Sequence, residues 1–365
     1  MRRTLLVAVW IILGAGAFAR TYGNEWIAYD QQYWTFKIWQ NGIRRIDSTS
    51  LADSGFPIAD VDPRTIRMYA RGRQVPIYIA GEEDGVFNTS DYIEFYGAKN
   101  DGWLDSTLWD SPSHINNPFY SLYNDTIRYF LTWKVGPGTE REIVNGSGNW
   151  SAYTAQPWCW ATTLLTYPLL YQAGKRTVLG ASDSKINEGE GYFRNTALNA
   201  TGVDVTQTQS LTIPSLYQLS GAPDATYNLV MASANNPGGA DPGCMDHHLQ
   251  LVRAGSVLVD TVFHGYQLNK FSLVLPNSSL STPNAWLDVK VIRDQTGTAL
   301  PPDYPDAHIL SWQSIRYPRD LAFAASTTMD VEVPGQPSGD STLISFTFTG
   351  TPVLYAWAPN GLHRV

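Results

Sequence analysis

The side chains best suited to binding a cation are concentrated in one acidic segment, residues 81–91. Its oxygen donors are Glu82, Glu83, Asp84, Asn88 and Asp91. Calcium prefers carboxylate and amide oxygens, and a turn glycine such as Gly85 helps a short loop to wrap around it. An EF-hand register does not fit, because its first ligand position falls on Ala80 and no helical pattern flanks the loop. We therefore predict calcium bound in a different wrap by Asp84, Asn88 and Asp91, with a solvated acidic hairpin as the alternative.

Thiol chemistry is a second possibility, because the chain has two cysteines, Cys159 and Cys244. A catalytic cysteine needs its thiolate beside an imidazole, in a cleft and near oxyanion donors. His264 ends a predicted strand, and no helix N-terminus is predicted nearby to lower a thiol pKa. We predict a structural His264 and no catalytic residue in this chain. In an oxidising compartment the two cysteines either pair or stay free, and the sequence leaves both alternatives open.

A third cluster, Cys244 to His248, gathers metal-capable side chains within five residues. Structural zinc sites usually need a second ligand pair at a set distance along the chain, and no such pair recurs here. In an extended strand His247 and His248 also point to opposite faces. The pattern favours a polar loop followed by a strand over a metal site.

The acidic segment joins two strands of a compact stretch, residues 66–97. The strand patterns are Ile66–Tyr69, Val75–Ile79 and Tyr92–Tyr96, and Gly72 supplies the positive φ of a tight turn between the first two. Upstream, residues 33–39 alternate with period two, and Asn41-Gly42 predicts a hairpin to a return strand at 43–46. One short helix is predicted at 48–54, capped by Asp47 or Ser48.

Composition favours many short strands, since 13% of residues are aromatic, 16% are charged, and there are 30 Gly and 22 Pro. We predict an all-β fold of two consecutive β-sandwich or jelly-roll-like domains with short turns and at most one short helix. The net charge of −8 argues against a nucleic-acid partner, because phosphate binding needs a basic surface.

The domain organisation begins with a secretory signal peptide at 1–19. It has a basic start at Arg2-Arg3, an apolar run too short to span a bilayer, and a small-x-small cleavage site at Ala17-Phe18-Ala19. An N-terminal β domain is predicted at 20–140 and a β-sandwich at 150–333. Strands at 340–365 either close that sandwich or lead to a further domain. No transmembrane segment is predicted after signal cleavage, so the chain is expected to be exported.

Three ordered stretches carry a resemblance to a known family. They are G-R-Q-V-P-I-Y at 72–78 with D-G-V-F and S-D-Y-I-E-F-Y-G up to 97, N-E-G-E-G-Y at 187–192, and S-I-R-Y-P-R at 314–319. In this order they resemble the region before the catalytic domain of gingipain-like cysteine peptidases, in particular the sortase of the type IX secretion system. The resemblance extends from about Trp34 to Val365.

The resemblance implies a protein of the periplasm, the outer-membrane surface or the extracellular space, of the Bacteroidota type. Its β-rich domains would precede a caspase-like peptidase domain with a His–Cys pair beyond Val365, so no catalytic residue is transferred to this chain. The implied partners are that peptidase domain or other outer-membrane secretion proteins.

Aromatic residues suggest an alternative function. Trp103, Trp109, Trp158 and Trp160 lie in or near predicted loops, where exposed rings stack on sugars. The competing hypothesis is therefore a free-standing carbohydrate-binding module, although aromatic side chains also fill sandwich cores.

Overall fold

The computed structural model describes residues 23–134, 140–144, 154–174, 184–239, 241, 243–294, 300, 303–321, 330–335, 343–346, 353–358 and 361–364. The predicted signal peptide at 1–19 lies outside these residues, as does part of the predicted segment at 340–365.

Short strands dominate the described residues, together with one α-helix and a few 3-10 turns. The strands of the N-terminal part are β1 (Trp34–Ile38), β2 (Gly42–Asp47), β3 (Ile66–Ala70), β4 (Arg73–Val75), β5 (Tyr78–Ala80), β6 (Tyr92–Gly97), β7 (Ile127–Trp133) and β8 (Ile143–Val144). The next are β9 (Ala155–Gln156), β10 (Trp158–Thr166), β11 (Leu170–Gln172), β12 (Gly191–Phe193), β13 (Leu198–Thr201), β14 (Val205–Thr212) and β15 (Ala225–Ser233). The last are β16 (His247–Arg253), β17 (Ser256–Phe263), β18 (Leu268–Leu275), β19 (Asn284–Val291), β20 (Pro305–Asp320), β21 (Leu343–Ile344), β22 (Tyr355–Ala358) and β23 (Gly361–Arg364). The predicted all-β fold class is confirmed.

The one α-helix among the described residues, α1 (Ser48–Asp53), begins where the sequence predicts. Asp47 is its N-cap, and the Asp47 carboxylate accepts a hydrogen bond from the Ser50 backbone N–H at 2.7 Å. This bond satisfies one of the N–H groups that have no partner within a helix.

The described residues divide into two compact units. The first consists of the described residues within 23–99, 126–144 and 355–364, and the second of those within 100–125 and 154–354. The predicted boundaries at 140, 150 and 333 stay predictions. No helix among the described residues is long and apolar enough to cross a membrane.

The first unit is built from a four-stranded sheet in the order β1-β7-β3-β4 and a three-stranded sheet in the order β2-β6-β5. Their buried side chains form one core, whose fully enclosed members include Ile66, Met68, Ile77, Ile93, Phe95 and Leu131. The predicted hairpin at Asn41-Gly42 is wrong, because β1 pairs with β7 and β2 pairs with β6. The turn therefore carries the chain from one sheet to the other.

A second difference from the sequence prediction lies at Val75–Ile79. The structure has two strands there, β4 in the first sheet and β5 in the second, instead of one. Pro76 lies between them, and proline has no backbone N–H to donate to a strand ladder. The chain therefore leaves one sheet at Pro76 and enters the other at Tyr78.

A small third sheet completes the first unit. The hairpin β22–β23 pairs through β23 with β8 in parallel, in the order β22-β23-β8. The C-terminal described residues thus belong to the same compact unit as β1 to β7.

The second unit is a larger β-sandwich. One sheet has the order β10-β20-β15-β18 with β13 also paired to β20, and the other has the order β14-β19-β16-β17. Alternation along β19 buries Ala285, Leu287, Val289 and Val291 in the core. The 16-residue strand β20 pairs with β10, β13 and β15, and it is buried along almost its whole length. Polar side chains on β20 are therefore enclosed within the unit.

Candidate functional site

The acidic loop brings together the three residues predicted to bind calcium. Asp84 Oδ1 accepts a hydrogen bond from Val86 N–H at 2.9 Å, and its Oδ2 accepts one from Asn88 Nδ2 at 3.0 Å. Asp91 is buried and its Oδ2 accepts a hydrogen bond from Asn88 N–H at 2.7 Å. The carboxylates of Asp84 and Asp91 thus fold the loop around Asn88.

Two arginines balance part of the charge of this loop. Arg141 Nη2 lies 2.9 Å from Glu82 Oε2. Arg64 lies against Gly85, so closely that a Cβ added at Gly85 would be 2.6 Å from Arg64 Nη2. Calcium would compete with these cations and with the loop N–H groups for the same carboxylates. Calcium binding by Asp84, Asn88 and Asp91 stays a prediction.

The two cysteines are free and buried. Burial raises the pKa of both thiols, so the nucleophilic thiolate is disfavoured at Cys159 and at Cys244. His264 Nδ1 contacts the backbone carbonyl oxygen of Cys244 at 2.8 Å, rather than its sulfur. Among the described residues no hydrogen bond joins either thiol to an imidazole, so these side chains do not form a catalytic pair.

A buried cluster of two histidines and one aspartate lies inside the second unit, and we call it the His–Asp–His cluster (His247, Asp306 and His308). His247 is the first residue of β16, and Asp306 and His308 lie two residues apart on β20, in the opposing sheet. Asp306 Oδ1 lies 2.6 Å from His247 Nδ1 and 2.8 Å from His308 Nε2. All three side chains have 0% exposure.

Contacts with neighbouring residues orient two side chains of the cluster, His247 and Asp306. His247 Nε2 donates to the carbonyl oxygen of Asn235 at 3.1 Å, and the ring stacks on Phe263 with centroids 5.0 Å apart. Asp306 Oδ2 accepts a hydrogen bond from His248 N–H at 3.2 Å. Burial opposes ionisation of Asp306, but the two imidazoles outweigh it and lower its pKa to about 2.

His308 is held differently from His247. Neither of its ring nitrogens makes an aligned hydrogen bond, although Nε2 is near Asp306. Burial lowers the pKa of His308, which favours the neutral imidazole with one free lone pair. Among the described residues, His247, Asp306 and His308 form the one group of three His, Cys, Asp or Glu side chains whose ligand atoms lie within 4.8 Å of one another.

His247 and His248 contact different partners, as expected for neighbours on a strand. His248 Nδ1 lies 2.7 Å from Asp294, and its Nε2 lies 2.6 Å from Asp260. Both of these aspartates are more than half exposed. Asp306 and His308 were not predicted as ligands from the sequence, because they lie 59 residues or more from His247 in the chain. The one signal was the D-A-H spacing at 306–308, which places two ligands on one face of a strand.

Aromatic side chains line a groove in the second unit. A cavity of about 310 Å³ is bordered by Tyr123, Tyr171 and Tyr192, and Tyr123 and Tyr171 are 74% and 43% exposed. Of the four tryptophans predicted near loops, Trp103 is exposed and Trp109 is buried. The other two, Trp158 and Trp160, are partly buried and pack edge to face.

The first unit contains a pair of buried glutamates. Glu94 lies beside Arg45 and Arg364, at 2.7 Å and 3.0 Å. Glu142 is 5% exposed, and neither of its carboxyl oxygens has a hydrogen-bond partner among the described residues. Burial, with the negative charge of Glu94 as a second cause, raises the pKa of Glu142 to about 8.

Comparisons with known proteins find solved structures that are similar at low sequence identity. No protein-family model and no curated protein matches the chain. Dimeric latent PorU from Porphyromonas gingivalis is similar at 14% identity and a TM-score of 0.42, covering 80% of this chain and 25% of that one. This chain thus spans about a quarter of the length of that PorU chain. The CBM36-1 domain of a multidomain xylanase from the hindgut metagenome of Trinervitermes trinervoides is similar at 12% identity and a TM-score of 0.20, covering 42% of this chain and 95% of that domain.

Proposed function

We propose that this chain is the non-catalytic β region of an exported gingipain-like cysteine peptidase, related to the sortase of the type IX secretion system. In this proposal its two β units position or cover a caspase-like peptidase domain encoded beyond Val365. The chain would act in the periplasm, at the outer-membrane surface or outside the cell. Its partners would be that peptidase domain or other outer-membrane secretion proteins.

The observation that carries the proposal is the state of the two thiols. Cys159 and Cys244 are buried, their pKa values are raised, and the candidate imidazole of His264 contacts the backbone oxygen of Cys244. A cysteine peptidase needs an accessible, low-pKa thiolate paired with histidine. Neither Cys159 nor Cys244 meets these requirements in this structure, and this supports a positioning role for the chain.

Two of the stretches that carry the family resemblance, at 187–192 and 314–319, have structural roles in this protein. Gly191, in N-E-G-E-G-Y, has φ +128° and a Cβ there would lie 2.8 Å from the Asn116 amide. The Asn116 Nδ2 donates to the carbonyl oxygen of Tyr192 at 2.9 Å. S-I-R-Y-P-R at 314–319 lies on the central strand β20. These residues build sheets and close approaches, as expected of a scaffold.

The proposal is tested by the reading frame after Val365 and by binding. The frame is expected to continue into a caspase-like domain, and that domain, expressed separately, is expected to associate with residues 20–365. A frame that stops at Val365, or two folded fragments that do not associate, would contradict the proposal.

A carbohydrate-binding module is the second candidate, favoured by the exposed rings of Tyr123 and Tyr171 beside the groove. Aromatic faces exposed at a groove are suited to stacking on sugar rings. Retention of the chain on a polysaccharide column, lost in Tyr171→Ala but kept in a control such as Tyr29→Ala, would support this function. Tyr29 is a suitable control because it is 81% exposed and belongs to the other unit.

A further inference from the structure

We propose that His247, Asp306 and His308 bind one divalent transition-metal ion, for which Zn²⁺ is the natural probe, between the two sheets of the second unit. The proposal is independent of the peptidase relationship, because it rests on this cluster alone. It assigns the cluster a structural metal, which would join β16 of one sheet to β20 of the other.

Ligand atoms of the three residues converge. One ligand atom of each residue lies within 4.8 Å of the other two, and Asp306 Oδ1 is 2.6 Å from His247 Nδ1 and 2.8 Å from His308 Nε2. Zinc binds histidine nitrogen and carboxylate oxygen at about 2.0–2.2 Å, so its binding would move Asp306 Oδ1 away from both nitrogens and bring the two nitrogens closer together.

The hydrogen bond from His247 Nε2 to Asn235 leaves His247 Nδ1 facing the cluster. Its Nε2 donates to the Asn235 carbonyl oxygen, so in the neutral imidazole the Nδ1 carries a lone pair. That lone pair faces Asp306 Oδ1 at 2.6 Å, where an ionised carboxylate also offers only lone pairs. A metal ion bound beside these two atoms would accept both lone pairs.

His308 is fully buried, its Nε2 lies 2.8 Å from Asp306 Oδ1, and its Nδ1 has no hydrogen-bond partner among the described residues. A buried polar atom without a partner costs free energy, and native structures rarely leave one. A metal bound at His308 Nε2 would leave the N–H of the neutral imidazole on Nδ1.

The surroundings resemble those of known metal ligands in their chemistry. A metal-binding histidine usually donates its other N–H to a carbonyl or carboxylate, as His247 does to Asn235. Ligating carboxylates are usually hydrogen-bonded as well, as Asp306 Oδ2 is by His248 N–H. These contacts orient two of the three ligands.

The ligand set identifies the class of metal. Two imidazoles with one carboxylate suit zinc and similar first-row ions, whereas calcium and magnesium prefer sites made only of oxygen.

A cavity of about 500 Å³ is lined by Ala234 and Asn236, which flank Asn235. It provides an approach to the loop that contacts His247.

The experiment is zinc titration of chelator-treated, folded protein by calorimetry, together with the melting temperature with and without zinc. We expect one zinc ion per chain and a rise in melting temperature. In His308→Gln we expect affinity to fall by more than the roughly 10- to 100-fold caused by loss of an outer partner. The matched control is His248→Gln, which changes the adjacent histidine with its separate partners Asp260 and Asp294.

X-ray absorption at the zinc edge of the wild-type protein identifies the zinc ligands directly. This measurement does not depend on whether His308→Gln folds. We expect a shell with two imidazoles and a carboxylate oxygen. Absence of stoichiometric zinc binding by the wild type would overturn the proposal. Loss of binding in His248→Gln but not in folded His308→Gln would also overturn it, as would a zinc shell without imidazole.

Discussion

Arg364 Nε lies 3.0 Å from Glu94 Oε1, and this ion pair joins the last described strand to β6 within the first unit. The Tyr355 hydroxyl donates to the same oxygen, while Arg45 Nη2 lies 2.7 Å from Glu94 Oε2. Burial opposes ionisation of Glu94, but hydrogen bonds from these three side chains outweigh it and keep its pKa below the usual range. Glu94 is therefore the buried anchor of the β22–β23 hairpin.

Glu94→Gln is expected to destabilise the first unit by about 1–3 kcal/mol, because it weakens the charged hydrogen bonds that Arg45, Arg364 and Tyr355 donate to Glu94. Equilibrium unfolding in denaturant measures this change. The matched control is Glu83→Gln, at an exposed position in the acidic loop, which should change stability by less than about 0.5 kcal/mol. Equal effects of the two substitutions would contradict the assignment of Glu94 as an anchor.

Glu142 gives a prediction about pH. Its folded pKa of about 8 lies above its ordinary value of 4.5, so the folded state holds a proton that the unfolded state releases. The resulting stability is fully present below about pH 4.5 and is lost as pH rises through about 8. Relative to Glu142→Gln, the wild type should lose up to about 1.4 kcal/mol per pH unit within that window.

Unfolding free energies of the wild type and Glu142→Gln across this range measure the effect. The charged and titratable groups that act on Glu142 are Glu94, Tyr355 and Arg364, and both proteins retain them. Their contribution therefore largely cancels in the comparison. Parallel stability curves for the two proteins would show that Glu142 titrates normally.

The calcium prediction is tested by the melting temperature with calcium and with chelator. If Asp84, Asn88 and Asp91 bind the ion, calcium at 100 times its dissociation constant should stabilise the fold by about 2.7 kcal/mol. Asp84→Asn should remove the effect, while Glu83→Gln should keep it. An unchanged melting temperature in the wild type would eliminate the calcium site.

Gly191→Ala tests whether the N-E-G-E-G-Y stretch serves the fold. A side chain there faces an unfavourable φ of +128° and a contact 2.8 Å from the Asn116 amide, which donates to Tyr192. We expect a loss of about 1–3 kcal/mol in unfolding free energy. Gly202→Ala is the control, with φ +72° and nothing within 4 Å of the added Cβ. A loss no larger at Gly191 than at Gly202 would argue against a packing role.

Local patterns in the sequence predicted local structure well. Asp47 caps α1 as expected, because a cap depends on residues within one turn. Period-two alternation likewise identified β1 and the all-β class. Pairing between strands was predicted less well: Asn41-Gly42 has the composition of a hairpin turn, yet β1 and β2 join different sheets.

The contacts within the His–Asp–His cluster could not be predicted from the sequence. Alternation indicated that His247 and His248 face opposite ways, but it does not reveal which distant strand each one meets. Asp306 and His308 come within reach of His247 only because β16 and β20 lie in opposing sheets of the sandwich. That relationship depends on tertiary packing, which the spacing of these residues along the chain does not predict.

The most direct test of the proposed function is to treat the native product of the full reading frame with an electrophilic cysteine-peptidase probe and to locate the label by mass spectrometry. We expect a labelled cysteine beyond Val365, with Cys159 and Cys244 unlabelled until the protein is denatured, because both thiols are buried with raised pKa values. Labelling of Cys159 or Cys244 in the native protein would contradict it.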